Sequence, residues 1–332
     1  FDEAVTGFTP SSASGDVIIT NGTDSNPAGS GTTYTFDLTP SGQGAVTVTV
    51  PAASGQDGAG NANTASNTFS ITYDSVRPTV VIEQAAAQAD PTNASPIHFT
   101  VTFSEPVSGF HASDVTLGGT AGAAATVVTG SGAIYDVAVS GMTANGTVTA
   151  SVADGAAQDE ALNTSEASTS TDNQVNYVVG PVDVTVEQAA GQLDPTNALP
   201  VNFTVTFSRP ISLGSFTSSD LTLGGDAPGT PAAAITEIAP NDGTTFNAAV
   251  NGLTGSGTVT VSLAANTVQD TAGNDNNASS STDNTVSYDI AQPGVTVSSA
   301  AADPTNVSPI PVTITFDEAV TGFTPSSASG DV

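Results

Sequence analysis

The chain repeats its own sequence, and this repeat restricts the fold to an array of similar units. The first seventeen residues, FDEAVTGFTPSSASGDV, stand again at residues 316–332, an offset of 315. Three copies of a DPTN segment begin at Asp90, Asp194 and Asp303, and each leads into an apolar strand that ends at a Phe. The repeated Phe residues are 102, 104 and 109 positions apart, so three non-identical modules form one longer repeat. We therefore expect a slice through a fibre or a giant repeat protein.

Within the modules, apolar and polar residues alternate, which is typical of half-buried strands. Residues 97–103 read IHFTVTF, and residues 201–207 and 310–316 repeat the alternation. Turn-forming Gly, Asn, Asp, Ser and Pro residues separate such segments, and none shows helical periodicity. About seven short strands per hundred residues predict an all-β fold of tandem immunoglobulin-like β-sandwich modules in an extended rod. Phe103 and Phe207 are expected in the cores.

The repeat also predicts the module bounds. The first module covers residues 1–74 and lacks its opening strands, the second covers 79–179, the third covers 182–290, and residues 294–332 are the opening strands of the next module. Each linker is short and contains a Pro, which restricts its own backbone and that of the preceding residue. We expect such linkers to bend less than Gly/Ser tethers.

The modules resemble the bacterial immunoglobulin-like repeats that occur in tandem in giant adhesins and other surface proteins. The resemblance covers essentially the whole chain and rests on VTVEQAAGQLDPTN at 184–197, FTVTFSEPV at 99–107, the FHASDVTL segment at 110–117, and the D-x-A-G-N loop at 57–61 and 270–274. The second module departs from the loop motif with DEALN at 159–163. The resemblance implies a structural, non-enzymatic segment at the cell surface.

The charge is strongly acidic, because 32 Asp and Glu residues face only two cationic ones, Arg77 and Arg209. A formal charge of −30 argues against nucleic acid and anionic membranes as partners. It favours the binding of hard cations. The alternative is that the charge serves solubility alone. The absence of Cys excludes disulfides and thiolate metal sites. No apolar run reaches the ~20 residues of a membrane span, so we expect no membrane insertion in this segment.

Acidic loops are the strongest candidates for a site. Ca²⁺ takes about six to eight oxygen ligands, and an immunoglobulin-like topology places DPTN at one end of a module and D-x-A-G-N at the other. The predicted ligands are Asp74 with Asp159 and Asn163 at the first junction, Asp90 and Asn93 with Asp270 and Asn274 at the second, and Asp194, Asn197 and Asp289 at the third, whose missing loop should match Asp57 and Asn61. Glu83 and Glu187 are possible additional ligands. The alternative is turn chemistry alone, since Asp and Asn are ordinary turn residues.

The leading hypothesis is a segment of an extracellular fibre or giant adhesin that extends and bears load, with further copies of the repeat, and lateral fibre contacts, as its partners. The first alternative is a self-assembling filament in which one copy donates strands to the next. The second is a surface module that binds a ligand. Arg209 stands where other modules have Glu3, Glu105 and Glu318, and an ion pair with an acidic neighbour is one expectation for it.

Overall fold

The first module folds into two small sheets, and the structure, a computed structural model, describes residues 1–326 and Gly330 of the chain. Its strands are β1 (Ile18–Thr20), β2 (Gly22–Ser30), β3 (Thr33–Pro40), β4 (Gly44–Thr49) and β5 (Phe69–Tyr73). One sheet has the order β1-β4-β5, and β2 pairs with β3 in the other. Ile71 on β5 is 54% exposed.

The second module is a complete sandwich of two antiparallel sheets. Its strands are β6 (Val80–Gln84), β7 (Ile97–Val107), β8 (Val115–Gly118), β9 (Ala125–Ser140), β10 (Gly146–Val152) and β11 (Gln174–Tyr177), with a 3-10 turn at Ala112–Asp114. The sheet orders are β6-β7-β9 and β11-β10-β8. Val175, the counterpart of Ile71, is completely buried here. The inner faces of both sheets share one hydrophobic core.

The alternating sequence of β7 accounts for this core. Ile97, Phe99 and Val101 are completely buried and Phe103 is 3% exposed, whereas the residues between them are at least partly accessible. Phe99 lies opposite Val137 of β9. Since successive strand residues point to opposite faces, the predicted inward face is confirmed.

The third module repeats the sandwich. Its strands are β12 (Val184–Gln188), β13 (Val201–Phe207), β14 (Leu221–Gly224), β15 (Gly229–Glu237), β16 (Thr245–Leu253), β17 (Gly257–Leu263) and β18 (Thr285–Tyr288), with 3-10 turns at Leu213–Ser215 and Ser218–Asp220. The sheet orders are β12-β13-β16-β15 and β14-β17-β18. Phe207 is 2% exposed in a core separate from that of the second module. The predicted all-β, immunoglobulin-like sandwich class is confirmed.

The chain forms two compact units, Phe1–Val179 and Gly180–Val332. The second unit ends with a two-stranded sheet of β19 (Val295–Ser298) and β20 (Thr313–Phe316). The predicted opening strands of a further module extend to residue 332, and residues 327–329, 331 and 332 lie outside the described residues.

An aromatic trio marks the same place in each of the first three modules. Three edge-to-face rings meet with centroids 4.9–5.9 Å apart, formed by Phe1, Phe8 and Tyr34, by Phe103, Phe110 and Tyr135, and by Phe207, Phe216 and Phe246. Such contacts contribute beyond the area that they bury. In each module the first Phe of this trio stands two residues before Glu3, Glu105 or Arg209. The trio therefore anchors the segment that carries that charged residue.

Candidate metal centre at the acidic loops

Three equivalent loops build their shape from the same Asp–Asn pair. In each loop one Asp oxygen accepts the backbone N–H of the Asn, and the other accepts its side-chain amide. The pairs are Asp57 and Asn61 (2.7 and 2.7 Å), Asp159 and Asn163 (2.8 and 2.8 Å), and Asp270 and Asn274 (2.8 and 2.9 Å). These bonds satisfy the turn amides, so turn chemistry accounts for the local shape of the loops.

The loop of the second module keeps this shape with an unfavourable residue. Leu162 has a φ of 69°, where the other two loops have Gly60 and Gly273 with φ of 89°. A bulky residue is rare in this left-handed region. Leu162 is also 71% exposed. The bonds between Asp159 and Asn163 therefore hold the loop against a local backbone preference.

Three carboxylates of the first unit converge beside this loop. Asp74, Glu105 and Asp159 each place an oxygen within 4.8 Å of the others. Asp159 is 4% exposed, and the Asn163 side-chain amide donates to the Asp74 carbonyl oxygen at 3.3 Å. The predicted first set, Asp74 with Asp159 and Asn163, is thus brought together. We name the three carboxylates the acidic triad.

Glu105 is the member that sequence reasoning missed as a ligand. Its position drew notice only because Arg209 replaces the acidic residue there. A signal was present, since β7 runs on from Phe103 toward the N-terminal end of the module, where the D-x-A-G-N loop was expected. The carboxylate also shares a surface cavity with Thr72, Asp74 and Glu160.

The triad is electrostatically unfavourable by itself. Burial, and then the negative charges of Asp159 and Asp74, raise the pKa of Glu105. Burial also acts to raise the pKa of Asp159, but hydrogen bonds from the Asn163 side chain and backbone outweigh it and lower that pKa. Of the ion pairs formed by the described residues, none includes a member of the triad. A cation bound here would relieve this repulsion.

The third module places a cation at the equivalent position. Arg209 Nε donates to Asp270 Oδ2 at 2.6 Å, and Arg209 Nη2 donates to the carbonyl oxygen of Gly180. The Asp270 side chain is only 2% exposed and that of Arg209 is 26% exposed. Burial acts to raise the pKa of Asp270, but hydrogen bonds from Asn274 and the pairing with Arg209 lower it. The ion pair lies within the module, and not with a neighbouring one.

The other predicted ligands lie at the expected ends of their modules. Asp90 Oδ1 accepts the backbone and side-chain amides of Asn176 on β11, both at 2.9 Å. Asn93 is half-buried in the same DPTN segment. In the predicted second set, Asp90 and Asn93 belong to one unit, and Asp270 and Asn274 to the other. That set stays a prediction.

The half-set of the third junction lies within the second unit. Asp194 Oδ1 accepts the backbone amide of Ser287 at 2.9 Å, and the backbone amide of Asp289 donates to the carbonyl oxygen of Thr196 at 2.8 Å. Asn197 is exposed beside them. The Ala291 amide and the Ser256 hydroxyl lower the pKa of Asp289. One oxygen of each carboxylate thus accepts hydrogen bonds from its own unit, and calcium at this set stays a prediction.

The first module carries a partial counterpart of the triad. Glu3, Asp57 and Asn61 line one surface cavity. Hydrogen bonds from the Asn61 side chain and backbone lower the pKa of Asp57. The module therefore has the acidic residue at the Glu105 position, together with the loop carboxylate.

Glu83 and Glu187, the possible additional ligands, each bind a loop of their own module. The Glu83 carboxylate accepts the amides of Thr171 at 2.9 Å and Asp172 at 2.6 Å. Glu187 binds Thr282 and Asp283 in the same way, at 3.0 and 2.7 Å. The backbone amides of Thr171 and Thr282 are the main cause of their lowered pKa values. Both carboxylates therefore anchor the loop that precedes the last strand of their module.

Comparison with known proteins agrees with this architecture for the first module. A family model described as a bacterial Ig-like domain matches residues 1–73. The bacterial immunoglobulin-like resemblance is thus confirmed for that part of the chain. Comparison with the curated proteins finds no match.

Among the solved structures, the Escherichia coli adhesin FdeC is similar to this chain. The two are 15% identical, and the match covers 83% of this chain and 87% of that one with a TM-score of 0.37. A likeness at this TM-score adds nothing to the fold assignment above. In the described part of the chain, no helix combines the length and the apolar character that a membrane span requires.

Proposed function

We propose that this chain is a structural segment of an extracellular fibre or giant adhesin at the cell surface, extending it and bearing load. The observation that carries the proposal is that the second and third modules each have a separate hydrophobic core. Because each core is complete within about a hundred residues, stability is modular, as in other repeat proteins. The likeness of residues 1–73 to a bacterial Ig-like domain supports the same role.

Pulling the whole chain by its two ends tests load bearing. Each complete module should unfold in a separate event that releases about 35 nm of chain, from about 100 residues at ~3.5 Å each. Two such events of similar length are expected, for the second and third modules. A single event that releases both modules together would contradict independent cores.

We further propose that Ca²⁺ binds the acidic triad and stiffens the segment between the first and second modules. The donors fit a hard cation, since Asp74, Glu105 and Asp159 offer only carboxylate oxygens. Asp74 lies at the end of the first module and the other two belong to the second, so an ion held by all three restrains the linker. Calcium about a hundredfold above its dissociation constant would add about 2.7 kcal/mol to the folded state.

Thermal unfolding of the full chain with calcium and with chelator tests this site. Calcium should raise the melting temperature of the wild type, and Glu105→Gln should remove most of the increase. Glu166→Gln, which removes an exposed carboxylate outside the triad, is the matched control and should respond like the wild type. Identical melting of the wild type in calcium and chelator would refute the site.

Strand donation between copies is the second candidate, and the exposed apolar side chains at both ends of the chain favour it. Ile71 and Phe69 are exposed on β5, and Val295 and Val297 are exposed on β19. In this proposal, the opening strands of a second copy would add to the sheet that carries β5 and cover its exposed face. Sedimentation of the purified chain discriminates, because donation predicts concentration-dependent chains of subunits that denaturing electrophoresis separates to 32.5 kDa.

A further inference from the structure

Each of the two Arg residues of this acidic chain connects a module to the segment that precedes it. Arg77 lies in the linker, and its guanidinium donates to the carbonyl oxygens of Thr164 (2.8 Å) and Ser165 (2.5 Å) and to Asp154 Oδ1 (2.5 Å). Arg209 lies in the third module and donates in the opposite direction, to Gly180 at the start of the second unit. Both guanidinium groups therefore fasten a leading segment to the module that follows it.

The two arginines differ in what they neutralise. Arg77 pairs with Asp154, whose side chain is 68% exposed and well solvated. Arg209 pairs with Asp270, whose side chain is 2% exposed and belongs to the loop of residues 270–274. Leaving a buried carboxylate without its partner is strongly unfavourable. The second module has no such pairing, because Arg77 binds Asp154 and not Asp159.

Equivalent positions thus carry opposite charges in front of equivalent loops. Glu105 and Arg209 both stand two residues after a Phe of the aromatic trio, and both face the Asp of an Asp–Asn loop. In one module the result is a group of three carboxylates, and in the other it is an ion pair. The loop hydrogen bonds themselves are the same in both modules.

We infer that Arg209 is a built-in cation, whose guanidinium neutralises Asp270 and ties Gly180 to the loop of residues 270–274, so that this loop needs no metal ion. The residue at the Glu105 or Arg209 position then decides whether a module's loop takes a divalent cation or a guanidinium. This second statement rests on the proposed calcium site, and the first does not. It also departs from the sequence expectation that Asp270 and Asn274 bind calcium, since Arg209 already occupies Asp270.

Amide hydrogen exchange of the full chain in chelator tests the metal-free part. Arg209→Gln should speed exchange of the Ala272 and Asn274 amides, which donate to Asp270 Oδ1, by at least about tenfold, because a tenfold change corresponds to only ~1.4 kcal/mol of local opening. In Arg209→Lys these amides should exchange faster than in the wild type but more slowly than in Arg209→Gln, since Lys keeps the charge but not the forked geometry of the guanidinium. Arg77→Gln is the matched control and should leave these amides unchanged. Exchange within about twofold of wild type in Arg209→Gln would overturn the inference.

The reciprocal variant tests the selection between ion and guanidinium. In Glu105→Arg, calcium should no longer raise the melting temperature, and the Asn163 amide should stay protected in chelator. Calcium stabilisation equal to that of the wild type would overturn the selective role of this position. If the wild type itself does not respond to calcium, the proposed calcium site fails, and the exchange of Arg209→Gln still decides whether Arg209 is the built-in cation.

Discussion

The N-terminal ends of the second and third modules solve one electrostatic problem in two ways. Both present a buried Asp that shapes a loop, Asp159 at 4% and Asp270 at 2% exposure. In the third module Arg209 compensates this charge within the fold, whereas in the second module Glu105 and Asp74 add to it. The comparison teaches that loop geometry and charge compensation are separable, because identical hydrogen bonds support opposite charges at the neighbouring position.

The largest predicted effect tests whether the two modules are otherwise equivalent. Phe103→Ala and Phe207→Ala should each lower the free energy of unfolding of their own module by about 3–5 kcal/mol, since both side chains are almost fully buried. Native-state hydrogen exchange on β7 and β13 measures the two modules separately. Costs that differ by more than about 2 kcal/mol, or fall below about 1 kcal/mol in either module, would show that the cores are not comparable.

The next effect compares the two loop carboxylates directly in chelator. Asp270→Asn should cost about 2–3 kcal/mol, because it removes a charged acceptor and leaves Arg209 without its anion. Asp159→Asn should cost at least about 1 kcal/mol less, because the lost acceptor is offset by weaker repulsion with Glu105 and Asp74. Chemical denaturation read out at each module checks the difference. Equal costs would mean that the acidic triad is not repulsive.

A smaller effect is expected to be common to both modules. The pKa values of Glu83 and Glu187 are lower in the folded state than in the unfolded chain. Their contribution to the stability of the folded state is therefore complete above the unfolded pKa, and it is lost as the pH falls through the folded pKa. Glu83→Gln and Glu187→Gln should therefore reduce stability at neutral pH by less than about 1 kcal/mol each, given their exposure. In acid, below both pKa values, the difference from wild type should disappear. Melting curves between pH 7 and about pH 3 measure it; a difference that grows in acid would contradict the assignment.

The smallest effect separates the two arginines. Arg77→Ala should change the free energy of unfolding of the second module by about 0.5 kcal/mol, because its ion pair with Asp154 is largely exposed. Thermal unfolding measures the change, and the same substitution at Arg209 provides the comparison. A cost for Arg77→Ala as large as that for Arg209→Ala would mean that burial of the paired Asp is not what distinguishes them.

Much of the fold was predictable because strand periodicity is a local property. The alternation in residues 97–103 and 201–207 indicated the buried faces that the structure shows, down to Phe103 and Phe207. The role of Glu83 was not predictable, since its partners at residues 170–172 are more than eighty positions away. Glu105 was noticed only as the counterpart of Arg209, although the end of the module where the D-x-A-G-N loop was expected is also the end toward which its strand runs.

The amino-acid sequence by itself determined the module repeat, the sandwich class, the inward strand faces and the Asp–Asn loops, because each depends on periodicity or on residues close together in the chain. Only the tertiary structure decided which charges meet. Glu105 joins Asp74 and Asp159, and Arg209 joins Asp270 and Gly180, across separations of up to 85 residues in the chain. Electrostatic interactions depend on distance in space, and the folded sheets set that distance.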